Sequence, residues 1–484
     1  MTSTLIFSPP FIKYVSGPLA GPALLAGVGR EVGVDVQVVD VNIRHLRQYV
    51  TARAWPRPTV VGDHTPDPEG IKKAKSVIRE VVLGALDSHL TSMPPVGCDV
   101  VDAVCLDHDQ VQIAAHALAD SSLVDQWMTW LPTNRPMFVG VSVMTSGQVL
   151  PGLALSLACK RRWPGICVVW GGAHVTAIAD AIAGDVRFGW CVDGFVAGYA
   201  ERTFRAMLLA GNPLAVAGVF EAGSGRVVRA IDGVVEPDFG DLSLYGSPHL
   251  TLPMQTSRGC AYGRCAFCTY HAVEGRYRTT PLEASASTIE LASRLGADLA
   301  VKDALLTADR MDAVGALIDG RCRWAATTRI TPRLGRQRLE RLTAQGLRTL
   351  EFGVESLDPA TLGMIDKKQR LNDLEVLLED AAGLELHLVL NVMFGFPGQT
   401  FEDANATCAM LEETFPMRYP HTHFSTERNL LQLETLSPMG RDPDRYGVRI
   451  HERWPWASVM SWNTPTWCQG ATETFTGHHI RRAA

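Results

Sequence analysis

The stretch TSRGCAYGRCAFCTYH, residues 256–271, places three cysteines within nine residues. Cys260, Cys265 and Cys268 lie too close together for ordinary disulfides among themselves, and an odd number of thiols cannot pair completely. Three thiolates on one short loop can instead supply three ligands to a metal centre and leave one position open. The loop therefore predicts a metal site in this half of the chain.

The composition of the 484-residue chain is that of a globular protein of two or three domains, with 46% hydrophobic and 20% charged residues. Its formal net charge of -6 gives no basic field for nucleic acid or an anionic membrane. The first residues lack the segments of a secretory signal, and no apolar run reaches the roughly 18 residues of a membrane span. Eleven cysteines in such a chain indicate a reducing cytoplasm, where clustered thiols bind metal or act in redox chemistry. We expect a cytoplasmic protein that binds neither nucleic acid nor membrane.

Alternating strand and helix patterns follow one another through the first half of the chain. The segments STLIFS and VDVQVVDVN flank a helical pattern that ends at Gly33, which predicts a β-α-β unit. The alternation resumes with FVGVSVMTSG, LPGLALSLACKRRW and ICVVWGG, after a polar helical insertion over residues 66–95. This order predicts an α/β fold with a doubly wound, Rossmann-like parallel sheet over residues 1–215.

A second β/α series follows a linker predicted at residues 216–250. Strand patterns such as LRTLEFGVES and LELHLVLNVMFGFPGQT alternate with helices, which predicts a full or partial β/α barrel over residues 251–430. Residues 431–484 form a small C-terminal appendage on the substrate side of the barrel. Its four tryptophans are predicted to help close the barrel mouth, with a small core or an interface as the alternatives: Trp454, Trp456, Trp462 and Trp467.

Three kinds of site are compatible with the cysteine loop. Iron–sulfur clusters are usually held by cysteine thiolates, and three cysteines would leave one iron free to bind substrate. A closed zinc site would add His271 as a fourth ligand. Three unligated thiols are the remaining interpretation.

The segment RGCAYGRCAFC resembles the signature of radical S-adenosylmethionine enzymes. This resemblance implies that Cys260, Cys265 and Cys268 bind a [4Fe–4S] cluster whose open iron is chelated by S-adenosylmethionine. The usual spacing in that family is Cys-x3-Cys-x2-Cys, whereas here four residues separate the first two cysteines. Gly263 is a residue type that accommodates such an insertion.

Segments beyond the loop extend the resemblance over residues 251–410. The segment WAATTRI implies that Arg329 approaches the carboxylate of S-adenosylmethionine, and LEFGVES implies that Glu355 and Ser356 lie near its ribose. The segment NVMFGFPGQTFED resembles a strand end that faces the active site of the barrel. The order of these segments, together with the cysteine loop, carries the resemblance.

The segment VVWGGAHVT, residues 168–176, resembles the cobalamin-binding domain that precedes many of these enzymes, although an ordinary strand-to-helix turn is the simpler interpretation. GYAERTF resembles a further loop of that domain, which usually has the sequence Gly-x-Gly-Glu. In this chain Tyr199-Ala200 replaces the glycine between Gly198 and Glu201. No Asp-x-His-x-x-Gly motif is present, so no histidine is expected to bind cobalt, and for His174 a corrin contact or a structural hydrogen bond is expected. The resemblance implies these cobalamin contacts: Ser142, Gly171, Gly172, His174 and Glu201.

The resemblance implies a methyltransferase that uses cobalamin, S-adenosylmethionine and a [4Fe–4S] cluster together. A deoxyadenosyl radical would remove hydrogen from a carbon of a peptide or small-molecule intermediate of secondary metabolism, and methylcobalamin would supply the methyl group. A flavodoxin or ferredoxin type of protein would act as the external one-electron reductant. The alternatives are a non-methylating rearrangement, ring contraction, dehydration or cyclisation, or a cobalamin sensor with a structural zinc site. No side chain stands out as a catalytic acid, base or nucleophile.

Overall fold

The computed structural model describes residues 3–11, 16–50, 61, 67–86, 100–246 and 249–468. In chain order its strands are β1 Ser3–Ser8, β2 Asp35–Asp40, β3 Val139–Ser142, β4 Val168–Gly171, β5 Gly194–Val196, β6 Val219–Phe220, β7 Thr251–Met254, β8 Ser257–Arg258, β9 Arg278–Thr279, β10 Asp298–Val301, β11 Trp324–Thr328, β12 Leu347–Glu355, β13 His387–Phe394, β14 His423–Leu430, β15 Ile450–Arg453 and β16 Met460–Trp462.

The α-helices cover the sheets and connect their strands. In chain order they are α1 Ala20–Val32, α2 Val41–Leu46, α3 Pro68–Ala85, α4 Val100–Ala103, α5 His108–Ala119, α6 Ser122–Thr129, α7 Val149–Arg162, α8 Ala173–Ala177, α9 Ala179–Gly184, α10 Glu201–Ala210, α11 Tyr270–Val273, α12 Ala286–Leu295, α13 Ala308–Ile318, α14 Arg336–Ala344, α15 Pro359–Met364, α16 Leu371–Asp380, α17 Phe401–Ala409, α18 Phe415–Arg418 and α19 Pro438–Arg441. No helix within the described residues combines the length and the apolar character that a membrane crossing needs.

The first sheet has the strand order β2-β1-β3-β4-β5-β6, in which β1 to β5 are parallel. Leu5 and Phe7 of β1 lie in the core on one face, and Ile6 lies in the core on the other. Such burial on both faces is why the strands are nearly continuous apolar runs. The doubly wound α/β prediction is therefore confirmed.

The first sheet continues into the segment that was predicted as a linker. β6 (Val219–Phe220) pairs antiparallel with Phe195 and Val196 of β5, because its two apolar residues complete the edge of the sheet. This strand lies within residues 216–250, the segment predicted as a linker. The other proposed boundaries, at residues 250 and 430, remain a prediction.

The second sheet has the strand order β14-β13-β12-β11-β10-β7, and all its neighbouring strands are parallel. Helices between the strands bury one large core that includes Trp324 and Phe352. Within the described residues β14 and β7 form the two edges, so the strands build a partial β/α barrel. This agrees with the predicted architecture of the second half.

The C-terminal segment contacts both sheets. Trp462 lies in a small core with Phe396 and Met439, beside Ala266 of the cysteine loop. Trp454 and Trp456 instead belong to the core of the first sheet. These two tryptophans therefore form an interface between the C-terminal segment and the first sheet, which is one of the roles that the sequence left open. Residues 469–484 lie outside the described residues.

A short antiparallel pair, β8 with β9, brackets the cysteine loop. Asp303 follows β10, and its carboxylate accepts hydrogen bonds from the backbone N–H and the hydroxyl of Thr256, at 2.7 and 2.8 Å, and from the hydroxyl of Ser257 at 2.6 Å. These bonds are buried, where each is stronger than at the surface. They fix the start of the cysteine loop to the carboxyl end of a barrel strand.

Candidate functional site

A cavity of about 480 Å³ lies between the carboxyl end of the first sheet and strands β7 and β10 of the second sheet. Ser142 ends β3, Gly171 ends β4, and both line the cavity together with Gly172. Open α/β sheets bind ligands at this edge of their strands. Most of the remaining wall is apolar and includes these residues: Leu24, Phe138, Val141, Trp170, Phe204 and Met207.

The backbone at Gly172 requires a residue without a side chain. Its φ is 112°, and a Cβ atom there would lie 2.3 Å from the carbonyl oxygen of Val143. At Gly171 a Cβ would meet only ordinary contacts, 3.6 Å from the carbonyl oxygen of Val196. The glycine pair therefore brings bare backbone to the cavity, and only its second member is obligatory for the turn.

His174 is buried and faces away from the cavity lining. Its Nε2 atom lies 2.9 Å from the carbonyl oxygen of Trp456, so this nitrogen carries the proton and donates it. Burial lowers the pKa of His174 to about 4. A corrin contact and a structural hydrogen bond were both expected for this histidine. The structure shows the hydrogen bond, which joins the first sheet to the C-terminal segment.

This histidine predicts a specific loss of stability in acid. The folded protein holds His174 neutral with a pKa of about 4, whereas an unfolded histidine titrates near 6.5, so the unfolded state binds the proton first. Stability is therefore complete above about pH 6.5 and falls as the pH approaches 4, by on the order of 3 kcal/mol from this group. Urea unfolding at several pH values should show a shallower pH dependence for His174→Gln, and equal slopes would contradict the prediction.

Glu201 begins α10 and lines the cavity, but its carboxylate is already bound. Arg258 donates to it from Nη2 at 2.6 Å and from Nη1 at 3.2 Å. The backbone N–H of Gly233 donates to the same carboxylate at 3.0 Å. Glu201 is therefore beside the space predicted for cobalamin, with its charge compensated by an arginine from the cysteine-loop segment.

The three cysteines are half-buried. Burial, with smaller contributions from the neighbouring thiols of Cys265 and Cys260, raises the pKa of Cys268 to about 12. Across the described ranges, no group of three or more His, Cys, Asp or Glu side chains is placed to hold one metal ion. An iron–sulfur cluster binds each cysteine through a different iron, so its thiols need not converge on one point. The donor set fits such a cluster, provided that the thiols are deprotonated on binding.

Two side chains of the longer segment between the first two cysteines anchor the loop. Gly263 has a φ of 59°, and its N–H approaches Cys260 Sγ at 3.5 Å. The hydroxyl of Tyr262 donates to the carbonyl oxygen of Asp366, and Arg264 Nε lies 3.1 Å from the Asp366 carboxylate. The longer loop is thus tied to the turn that follows α15.

Arg329 follows β11, and its guanidinium stacks on the ring of Tyr262 at 3.8 Å from the ring centre. It also donates to the carbonyl oxygens of Lys367 and Lys368, at 2.7 and 3.2 Å. Arg329 therefore holds the turn against the cysteine loop. Its charge lies close enough to Cys265 to lower the pKa of that thiol slightly, against the larger effect of burial.

Glu355 has a φ of 63° beside a register shift in the pairing of β12 with β13. Irregular strand ends of this kind are frequent next to active sites. Its carboxylate pairs with Lys367 Nζ at 2.8 Å. Ser356 is fully buried, and its hydroxyl accepts from the backbone N–H of Asp358 at 3.1 Å. Glu355 and Arg329 therefore both lie near the cysteines. The Ser356 hydroxyl instead stabilises the turn at Asp358.

Sequence reasoning did not single out Lys367. Burial lowers its pKa, but the carboxylate of Glu355 and the thiol of Cys265 outweigh that effect, and the net shift is upward. A cation is thus kept beside the cysteine loop. The only signal in the sequence is a pair of lysines after a predicted helix, which is ordinarily a solvated surface.

Glu274 was also missed, although it lines the cavity. Its carboxylate accepts the backbone N–H of Gly259 at 2.9 Å, next to Cys260. Burial raises the pKa of Glu274 above its usual value. This contact shows that the cavity and the cysteine loop are adjacent.

Comparisons with known proteins agree on the fold. No protein-family model matches the sequence. An uncharacterized methyltransferase of Pyrococcus horikoshii is 24% identical over 343 residues, which cover 66% of this chain and 72% of the relative. The radical S-adenosylmethionine methyltransferase TsrM from Kitasatospora setae, solved with cobalamin and a [4Fe–4S] cluster, superimposes with a TM-score of 0.59 and 16% identity over 91% of this chain and 74% of that one.

The cobalamin-dependent S-adenosylmethionine radical enzyme OxsB, solved with aqua-cobalamin and S-adenosylmethionine, covers 98% of this chain. The match has a TM-score of 0.65 and 13% identity, and it covers 66% of the OxsB chain. The described part of the chain therefore shares the fold of these two enzymes. The family resemblance of the sequence motifs is confirmed at the level of the fold.

Proposed function

We propose that the protein is a cobalamin-dependent radical S-adenosylmethionine enzyme that transfers a methyl group to a carbon of a peptide or natural-product intermediate. The observation that supports this most directly is the cavity between the two sheets. Gly171 and Gly172 lie on one wall, and Glu274, bonded beside Cys260, lies on the other. Two reactive groups bound on these walls would face one shared space.

The residues of each wall suit one of the two groups. Ser142, Gly171 and Gly172 offer backbone and a hydroxyl beside wide apolar walls, which suits the flat corrin ring of cobalamin. Cys260, Cys265 and Cys268 would hold the [4Fe–4S] cluster.

Arg329, Glu355 and Lys367 place both charge signs near the cysteines, as the amino and carboxylate groups of S-adenosylmethionine require. When bound, the cluster supplies the electron that cleaves S-adenosylmethionine, and cobalamin carries the methyl group. The chain itself orients the bound groups and excludes water through its apolar walls.

Metal content tests the proposal directly. The protein should be purified without oxygen, reconstituted with iron, sulfide and hydroxocobalamin, and analysed for iron, cobalt and zinc. We expect about four irons and one cobalt per chain, with 5′-deoxyadenosine formed after reduction. Label from S-adenosylmethionine with a deuterated methyl group should appear on the bound cobalamin.

Other results would assign the chain differently. Iron and cobalt with 5′-deoxyadenosine, but without transfer of the label, would favour ring contraction, cyclisation or another non-methylating outcome. One zinc without iron or cobalt would remove the radical chemistry altogether. Iron without cobalt would leave the cavity between the sheets without its proposed ligand.

A further inference from the structure

We infer that Glu201 is a positioning residue that, through Arg258, sets the cysteine loop at a fixed distance and angle from the cobalamin wall of the cavity. The inference rests on the proposed function, because it concerns how the two bound groups stand relative to each other. Its evidence is independent of that function and consists of one buried ion pair between the two halves of the chain.

The ion pair has the geometry of a rigid connection. Arg258 binds the carboxylate of Glu201 with both terminal nitrogens, at 2.6 and 3.2 Å, and only 5% of Glu201 and 4% of Arg258 is exposed. Paired parallel hydrogen bonds of this kind fix orientation as well as distance. Lysine could not reproduce them, since its ammonium is a single point charge on a flexible stem.

The surroundings hold each partner in place. The guanidinium of Arg258 stacks on the ring of Tyr199, 4.0 Å from its centre, and approaches Asp232 at 3.5 Å. Tyr199 itself lines the cavity, and its hydroxyl accepts from Gln255 at 2.7 Å. Tyr199 occupies the variable position of the Gly-x-Gly-Glu loop that this segment resembles, and its ring gives the guanidinium of Arg258 a surface to stack on.

The pair connects a residue of the cavity wall, Glu201, to the strand that leads into the cysteine loop. Glu201 begins α10 directly after the loop at Gly198, which lines the first-sheet side of the cavity. Arg258 belongs to β8, two residues before Cys260. A change in the pair is therefore transmitted to the first cysteine through a very short segment of chain. Buried ion pairs add little net stability compared with apolar groups, and setting a unique geometry is one role in which they are retained.

The test measures the separation of the two groups in the holoenzyme. Pulsed electron paramagnetic resonance between cob(II)alamin and the reduced cluster reports a distribution of distances. We expect a narrow distribution for the natural sequence and a broader or shifted one for Glu201→Gln. Affinity for hydroxocobalamin should fall less than about tenfold, because the glutamine leaves the walls of the cavity in place.

Two further variants separate positioning from general damage. Arg258→Lys keeps the charge but loses the paired hydrogen bonds and the stacking, so it should broaden the distribution as well. Lys160→Met is the matched control, since it removes an ion pair at 2.7 Å between helix α7 and Asp193, which precedes β5 of the first sheet. It should leave the distribution unchanged.

The outcomes distinguish this inference from the proposed function. If the natural sequence binds no cobalamin or no cluster, the proposed function fails first. If both bind and the distance distribution of Glu201→Gln and Arg258→Lys equals that of the natural sequence, the positioning role is wrong. If Glu201→Gln does not fold, the result for Arg258→Lys decides. Equal broadening in Lys160→Met would likewise overturn the inference, because it would show a general loss of rigidity.

Discussion

Replacing Cys260, Cys265 and Cys268 together by alanine is expected to abolish iron binding and 5′-deoxyadenosine formation while cobalt binding persists. The three thiols are the donor set that fits the cluster, and they share one loop that the rest of the barrel does not need for its core. Cobalamin would be held by the first sheet, whose strands do not include this loop. Iron, sulfide and cobalt analysis of the reconstituted variant measures both parts of the prediction.

Cys167→Ala provides the matched control for this experiment. Cys167 is also half-buried and also outside any disulfide, but it precedes β4 in the first sheet. The Cys167→Ala variant should retain the iron content of the natural sequence. Iron that remains bound after the triple substitution would contradict the cluster assignment. Zinc that is lost on replacing both Cys268 and His271 would support the closed zinc site instead.

The order of strands and helices could be predicted because it depends on local patterns. A short apolar run marks β1 and apolar alternation marks β2, and Gly33, with its φ of 69°, ends the helix between them where the sequence placed the end. The strand β6 was missed because two apolar residues, Val219 and Phe220, are too few to show any period. Their pairing with β5 exists only once the sheet has formed.

Parts of the site that lie within one loop were also accessible. The three cysteines and the glycine pair at residues 171–172 are near neighbours in the chain, so their spacing carries the information. The contact of Glu201 with Arg258 joins residues 57 positions apart, and that of His174 with Trp456 joins residues 282 positions apart. No sequence period relates such residues, because the packing of the sheets alone brings them together.

Residues that bind a cofactor and residues that support the site differ in how far their chemical type is restricted. A ligand to a cluster must be of one chemical type, which makes cysteine visible in a sequence. A residue that sets a distance, such as Arg258, is chosen for its geometry in the fold, and its type is common elsewhere. The residues that the sequence did not reveal, including Lys367 and Glu274, are therefore mainly those that contact the cysteine loop without being expected to bind a cofactor.

Gly172→Ala is expected to destabilise the first sheet by roughly 3 kcal/mol and to abolish measurable cobalamin binding. The φ of 112° is one that alanine rarely adopts, and the added methyl group would lie 2.3 Å from the carbonyl oxygen of Val143. That carbonyl accepts the N–H of His174 at 3.2 Å, so the turn into α8 would have to move. Urea unfolding measures the stability, and titration with hydroxocobalamin measures the binding.

Gly171→Ala is the matched control, because it adds a methyl group at the cavity without straining the backbone of the turn. Its Cβ would make ordinary contacts, 3.6 Å from the carbonyl oxygen of Val196, and its φ is not in the left-handed region. Stability should therefore stay within about 0.5 kcal/mol of the natural sequence. Equal losses in the two variants would show that the cavity edge is sensitive to any added volume. Loss of stability in Gly172→Ala without loss of binding would place cobalamin away from this turn, because a ligand held by the turn's backbone cannot survive its displacement.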